Sequence, residues 1–177
     1  RANPVLVFQT ADHYIGDIKR FRETIARAVL VARLGLNVIT IGITPTGEPL
    51  DWTGFGALKA DANGSIHGEV VYSVRSMEEK PDQERAREMI AEQGWYWNAS
   101  MDVSALKTLE YVLRKLYPDE YRIYRKMAAA LKQGNEEEAK GEFRRLKSKV
   151  PNPFDASKEV EASIANALLV PLALRID

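Results

Sequence analysis

The sequence predicts an α/β protein with a mixed, mostly parallel sheet flanked by helices, and with a helical lobe in its second half. Three observations carry this reading. A short apolar run at residues 4–9 is followed by a long amphipathic segment and a second apolar run at residues 37–43, a strand–helix–strand order whose crossover implies parallel strands. Asn63-Gly64, a strong hairpin signal, stands between two more strand-like runs, residues 54–60 and 68–76. From Ser104 to Lys147 the pattern stays helical, broken at Pro118 and at Gly134-Asn135.

Each element has a local cause. The first run, Val5-Leu6-Val7-Phe8 at its centre, reads as a buried parallel strand. Over residues 17–34, Ile18, Phe21, Ile25, Ala28, Val29 and Ala32 repeat at three and four residues, the spacing of one helix face. Gly35 falls where a helix C-cap glycine belongs. Residues 44–53 hold two prolines and a glycine and read as loop. Pro81 opens a helix of about a dozen residues that Gly94 ends. Trp95-Tyr96-Trp97-Asn98 reads as core aromatics with a polar turn. Asn135 and Glu138 have capping-box spacing. Residues 151–153 form a turn, followed by a short helix and a closing strand around residues 167–174.

Composition narrows the functions. The 177 residues are 45% hydrophobic, enough for a core, and 25 Lys+Arg balance 25 Asp+Glu. That balance offers no field to draw nucleic acid or an acidic membrane surface, so any anionic ligand needs a local site. Without cysteine there is no disulfide framework and no thiolate metal site, in keeping with a cytoplasmic location. No stretch is long and apolar enough to span a bilayer. The chain opens with Arg1 on an apolar run and closes on another, so it is expected to be the central part of something longer, truncated at both ends.

The residues that offer chemistry follow strands. Asp12 lies just beyond the first apolar run, where a carboxylate can hold a divalent cation; the plainer account is that it caps a turn while His13 packs. Glu79-Lys80 precedes Pro81-Asp82 at a strand-to-helix junction. There a carboxylate can accept from sugar hydroxyls and an ammonium can meet phosphate, or both can be solvated charges. Asn98, after three aromatics, can hydrogen-bond a sugar or simply close a turn. Gly54-Phe55-Gly56 is too short for a phosphate loop.

Taken in order, these segments resemble the mannose-1-phosphate guanylyltransferases, a family of sugar-1-phosphate nucleotidyltransferases. Residues 5–15 look like the family's strand with its Pro-Ala-Asp-His segment. Gly42-Ile43-Thr44-Pro45-Thr46 resembles its Gly-Ile-x-Pro-Thr loop, and Thr53-Gly54-Phe55-Gly56 its Thr-Gly-Tyr-Gly. Glu79-Lys80-Pro81 matches the Glu-Lys-Pro motif, and Trp97-Asn98-Ala99-Ser100-Met101 resembles Trp-Asn-Ser/Ala-Gly-Met. Phe154-Asp155 and Leu169-Val170-Pro171 fall in register too.

The resemblance implies a single Rossmann-like nucleotide-diphospho-sugar transferase domain over residues 1–177, with its helical lobe near 104–150. It implies transfer of a nucleotidyl group, GMP from GTP, to mannose 1-phosphate, releasing pyrophosphate. Magnesium is the implied cofactor, with Asp12 as its ligand and a catalytic residue. Gly56, Glu79 and Asn98 would contact the sugar, and Lys80 would meet its phosphate as substrate ligand and second catalytic residue. The expected partners are a sugar 1-phosphate and a nucleoside triphosphate, with a homodimer as the family's usual assembly. The family's glycine-rich nucleotide loop would precede Arg1, and a second metal-binding Asp would follow Asp177, so the chain alone is expected to be inactive. Ser100 stands where the family has Gly, and Ala162 follows Glu161 where a Lys is usual. The alternatives are a sugar-phosphate-binding or regulatory module that has lost its chemistry, an enzyme for another sugar 1-phosphate, and, last, an interaction scaffold built on the helices.

Overall fold

The structure, a computed structural model, describes residues 3–11, 13–35, 37–45, 52–66, 69–147 and 167–172. The chain divides into two compact units, Arg1–Thr108 with Glu161–Asp177, and Leu109–Val160.

The first unit holds six strands, β1 Val5–Phe8, β2 Val38–Ile43, β3 Ala57–Ile66, β4 Glu69–Glu78, β5 Trp95–Ala105 and β6 Ala167–Leu172. Their order is β1-β5-β2-β6-β4-β3, and β3 also pairs with β5. The α/β class and the crossover hold, but the mostly parallel sheet does not. Among the described residues β2–β6 is the one parallel pairing, and the other five are antiparallel. β1 and β2 do run the same way. However, β5 lies between them and hydrogen-bonds to both in the opposite direction. A crossover helix fixes the relative direction of two strands, not their adjacency.

Helix α1, Ile18–Leu34, starts because Asp17 caps it, its carboxylate accepting from the Arg20 N–H at 2.9 Å. Its buried stripe is Thr24, Ala28, Val31 and Ala32, which packs with Ile39, Ile41 and Val103 in the main core. Full burial of side chains such as Val31 and Ile41 is worth about 1.5–3 kcal/mol each. Ile18, at the helix start, is exposed. Gly35 is extended at φ −160, so it is no left-handed cap. β1 is an edge strand and not a buried one; Val7 and Phe8 are exposed.

β3 and β4 form the expected hairpin, but Asn63-Gly64 is not its turn. The ladder continues past them to Ile66 paired with Glu69, and they sit at a register shift between Ala62 and Ser65. Two residues there face one, which is a bulge. Helix α2, Gln83–Ala91, begins two residues later than Pro81 suggested, with Asp82 accepting from the Arg85 N–H at 2.8 Å. Trp95-Tyr96-Trp97 opens β5 with Trp95 and Trp97 buried as expected, and Asn98 continues the strand where a turn was expected.

The described residues of the second unit are helical. Helix α3, Leu106–Leu116, enters it; α4, Pro118–Lys132, and α5, Glu136–Lys147, form a hairpin. Gly134, at φ 74, closes α4: its N–H donates to the Leu131 carbonyl and the Asn135 N–H to that of Ala130, a Schellman pair. Asn135 then caps α5, accepting from the Glu138 N–H at 3.2 Å, while its own amide donates to Glu138. The turn and short helix expected after Lys147 lie outside the described residues. No helix among those described is long and apolar enough to cross a membrane.

Candidate functional site

Pairing register builds the site. Ala57 faces Glu78 on β4 and Trp97 on β5, so Gly56, one residue earlier, lies between Glu79 and Asn98. The Asn98 N–H donates to the Gly56 carbonyl at 2.7 Å. Across β5, Asn98 faces Gly42. Gly42, Asn98, Gly56 and Glu79 thus form one cross-strand row.

Glycine at position 56 is a steric requirement. A Cβ there would stand 2.8 Å from Glu79 Oε2, 3.2 Å from Met77 Cε and 3.7 Å from Asn98 Cβ. Without it the backbone lies open between a carboxylate and an amide. Lys80 Nζ lies 4.0 Å from Glu79 Oε1, and both side chains are substantially exposed. Gly56, Glu79, Lys80 and Asn98 therefore come together. Asp12 lies outside the described residues; β1, which leads to it, ends at Phe8 opposite Asp102, on the strand that carries Asn98.

Two residues of this region are left-handed without being glycine, Lys80 at φ 48 and Ser100 at φ 51. Such conformations cost on the order of 1–3 kcal/mol and persist where surroundings impose them. Ser100 belongs to a bulge. Thr40 faces Asp102 and Gly42 faces Asn98, so three β5 residues lie opposite Ile41 alone. The Ser100 N–H, freed from the ladder, donates to Asn98 Oδ1 at 2.9 Å.

The strand before Lys80 and the helix after it are tied together by side chains. Arg85 Nε pairs with Glu78 Oε2 at 3.2 Å and Arg85 Nη1 with Glu88 Oε2 at 2.8 Å, and these carboxylates raise the guanidinium pKa, Glu88 first. Arg85 and Lys59 flank the Trp95 ring, at 5.4 and 5.3 Å from its centre. Glu92 ties the group together, accepting from Lys59 Nζ at 2.5 Å and from the Trp95 indole at 2.9 Å. Those two donors, Lys59 foremost, hold its carboxyl below the usual range.

Sequence reasoning missed this brace, the part Gly42 plays and Asp102. Burial pushes the Asp102 carboxyl above its usual range, with a hydrogen bond involving Thr40 opposing. Its sequence signal was a lone acid inside Met101-Asp102-Val103. A cleft lined by Thr44, Tyr72, Glu92, Trp95 and Tyr96 contains none of the row's residues.

The nucleotidyl transferase family profile matches residues 1–143. The chain belongs to the nucleotidyl transferase family. It is 34% identical over 120 residues to a mannose-1-phosphate guanylyltransferase of Salmonella muenchen, covering 68% of this chain and 24% of that protein. It is 39% identical over 97 residues to the alginate biosynthesis protein AlgA of Pseudomonas aeruginosa, covering 55% and 19% respectively. The chain thus spans about a quarter or less of the length of these curated relatives. The fold is shared with a solved mannose-1-phosphate geranyltransferase from Thermus thermophilus, at a TM-score of 0.58 and 21% identity over 97% of this chain and 45% of that one. A Helicobacter pylori mannose-6-phosphate isomerase structure has the same fold at 0.55 and 24%, covering 71% and 44%.

Proposed function

We propose that this chain carries the sugar-phosphate half of a nucleotidyltransferase site. In the whole protein, a sugar 1-phosphate, mannose 1-phosphate in the first place, would receive GMP from GTP. The observation that carries this is the row Asn98–Gly56–Glu79 with Lys80 beside it. A bare backbone flanked by an amide and a carboxylate suits a flat, hydroxylated ligand, and an exposed ammonium at its edge suits a phosphate. The names of the relatives favour mannose and guanine.

The chemistry needs no covalent intermediate with the protein. The sugar phosphate oxygen attacks the α-phosphorus of the triphosphate in line, and pyrophosphate leaves. Glu79, Asn98 and the Gly56 backbone fix the sugar, and Lys80 holds its phosphate for that approach.

Magnesium, when bound, would neutralise phosphate charge, and Asp12 is the residue to hold it. The segment's donors fit a hard cation. No group of three His, Cys, Asp or Glu competes for a metal among the described residues. Thr10, two positions before Asp12, has a buried hydroxyl with no partner there. Magnesium needs only one or two protein oxygens beside phosphate.

The test is turnover by the whole protein with GTP, mannose 1-phosphate and magnesium. Pyrophosphate release is expected, with Lys80→Ala raising the KM for the sugar phosphate more than that for GTP. No release with any nucleoside triphosphate would overturn the proposal.

A further inference from the structure

The side-chain amide of Asn98 is not free to choose which end it shows a ligand. Ser100 N–H is a donor and nothing else, so the Asn98 atom facing it at 2.9 Å is the carbonyl oxygen. The amide nitrogen is left over, and it has no partner among the described residues. On the other side of Gly56, Glu79 directs a carboxylate oxygen to where a Cβ would be, and a carboxylate only accepts. The row therefore has a fixed polarity, donor at Asn98 and acceptor at Glu79.

Left-handed Ser100 is what sets this polarity. The bulge turns its N–H out of the ladder and back onto Asn98. In an unbulged strand that N–H would serve strand pairing, and the amide of Asn98 would be free to rotate.

We infer that Ser100 is a positioning residue that locks Asn98 as a donor opposite the Glu79 acceptor, so that the site selects a ligand carrying a hydrogen-bond donor and an acceptor oxygen side by side, as neighbouring hydroxyls of a sugar phosphate do. The inference rests on the sugar-phosphate reading above and adds to it the direction of each hydrogen bond. A hydroxyl facing Glu79 must donate. Its neighbour facing Asn98 must accept.

Calorimetric titration of the whole protein with mannose 1-phosphate, and with analogues in which each ring hydroxyl is replaced by hydrogen or by fluorine, tests it. Fluorine accepts weakly and never donates. At one position both replacements are expected to weaken binding about tenfold or more, the loss of a hydrogen bond to a charged group. At the neighbouring position hydrogen weakens binding comparably, while fluorine is tolerated within about threefold. Asn98→Asp keeps an acceptor for Ser100 N–H but removes the ligand-facing donor, so tolerance of fluorine disappears. Ser100→Gly keeps the left-handed backbone and the pattern. Ser100→Val, β-branched and ill-suited to that conformation, frees the amide to turn either end to the ligand, so the difference between fluorine and hydrogen narrows. If Ser100→Val fails to fold, Asn98→Asp decides alone.

Fluorine and hydrogen behaving alike at every position of the unaltered chain would overturn the inference while leaving the sugar-phosphate reading intact. So would an unchanged pattern in Asn98→Asp. Failure of mannose 1-phosphate itself to bind would overturn the reading beneath it.

Discussion

The bulge at Ser100 and the turn at Gly134 both need a left-handed residue, and they obtain it differently. The α4–α5 turn uses glycine, meets no steric obstacle to a side chain, and satisfies its free groups with main-chain and cap hydrogen bonds. The sheet uses serine at the bulge and lysine at the β4–α2 junction. The helical hairpin is thus locally at ease, while the strained non-glycine residues of the described chain both flank the Gly56 row. Strain of that kind survives only when neighbours over-determine the backbone, and the neighbours here are β2, the Trp97 core and the Arg85–Trp95 brace.

That contrast can be broken at several points. The largest effect is expected from Trp97→Ala. Trp97 is 1% exposed and precedes Asn98 in β5, so truncation should cost about 3–5 kcal/mol in denaturant unfolding and let the bulge relax. A cost below about 1 kcal/mol would mean that the core does not hold the bulge. Next, Gly134→Ala should lose about 1–2 kcal/mol through its φ alone, since the space around it is open. Ser100→Gly should move the other way, gaining about 0.5–1 kcal/mol once the flexibility of glycine is offset against relieved strain. A loss in both variants would erase the distinction between the two turns.

The smallest effect concerns pH. The raised pKa of Asp102 means that the native state keeps this proton to higher pH than the unfolded chain does. Its contribution to stability should therefore fall as pH rises from about 4, the unfolded value, through the raised native one, and then level off. Asp102→Asn should flatten that decline in thermal midpoints measured from pH 4 to pH 8. A midpoint falling toward acid because of this residue would contradict the assignment.

What could be read in advance divides along the same line. The cap at Asn135 and the breaks at Pro118 and Gly134 were legible, because each depends on hydrogen bonds within about four residues. Gly35 and Asn63-Gly64 misled, since local preference was overruled by the pairing of distant strands. Glu79, Lys80, Gly56 and Asn98 were legible as motifs. Ser100 was legible only as a departure from a pattern, and its hydrogen bond to Asn98 was not. Asp102 went unnoticed because nothing in its neighbours in sequence announces Thr40 across the sheet.

By itself the sequence determined where the helices lie, the α/β class and which residue types are offered to a ligand, since periodicity and capping are short-range. Only the tertiary structure decided that β5 threads between β1 and β2 and brings Asn98, Gly56 and Glu79 into one row. Strand order is chosen by the whole sheet's hydrogen bonding and burial, and no window of neighbouring residues contains that choice.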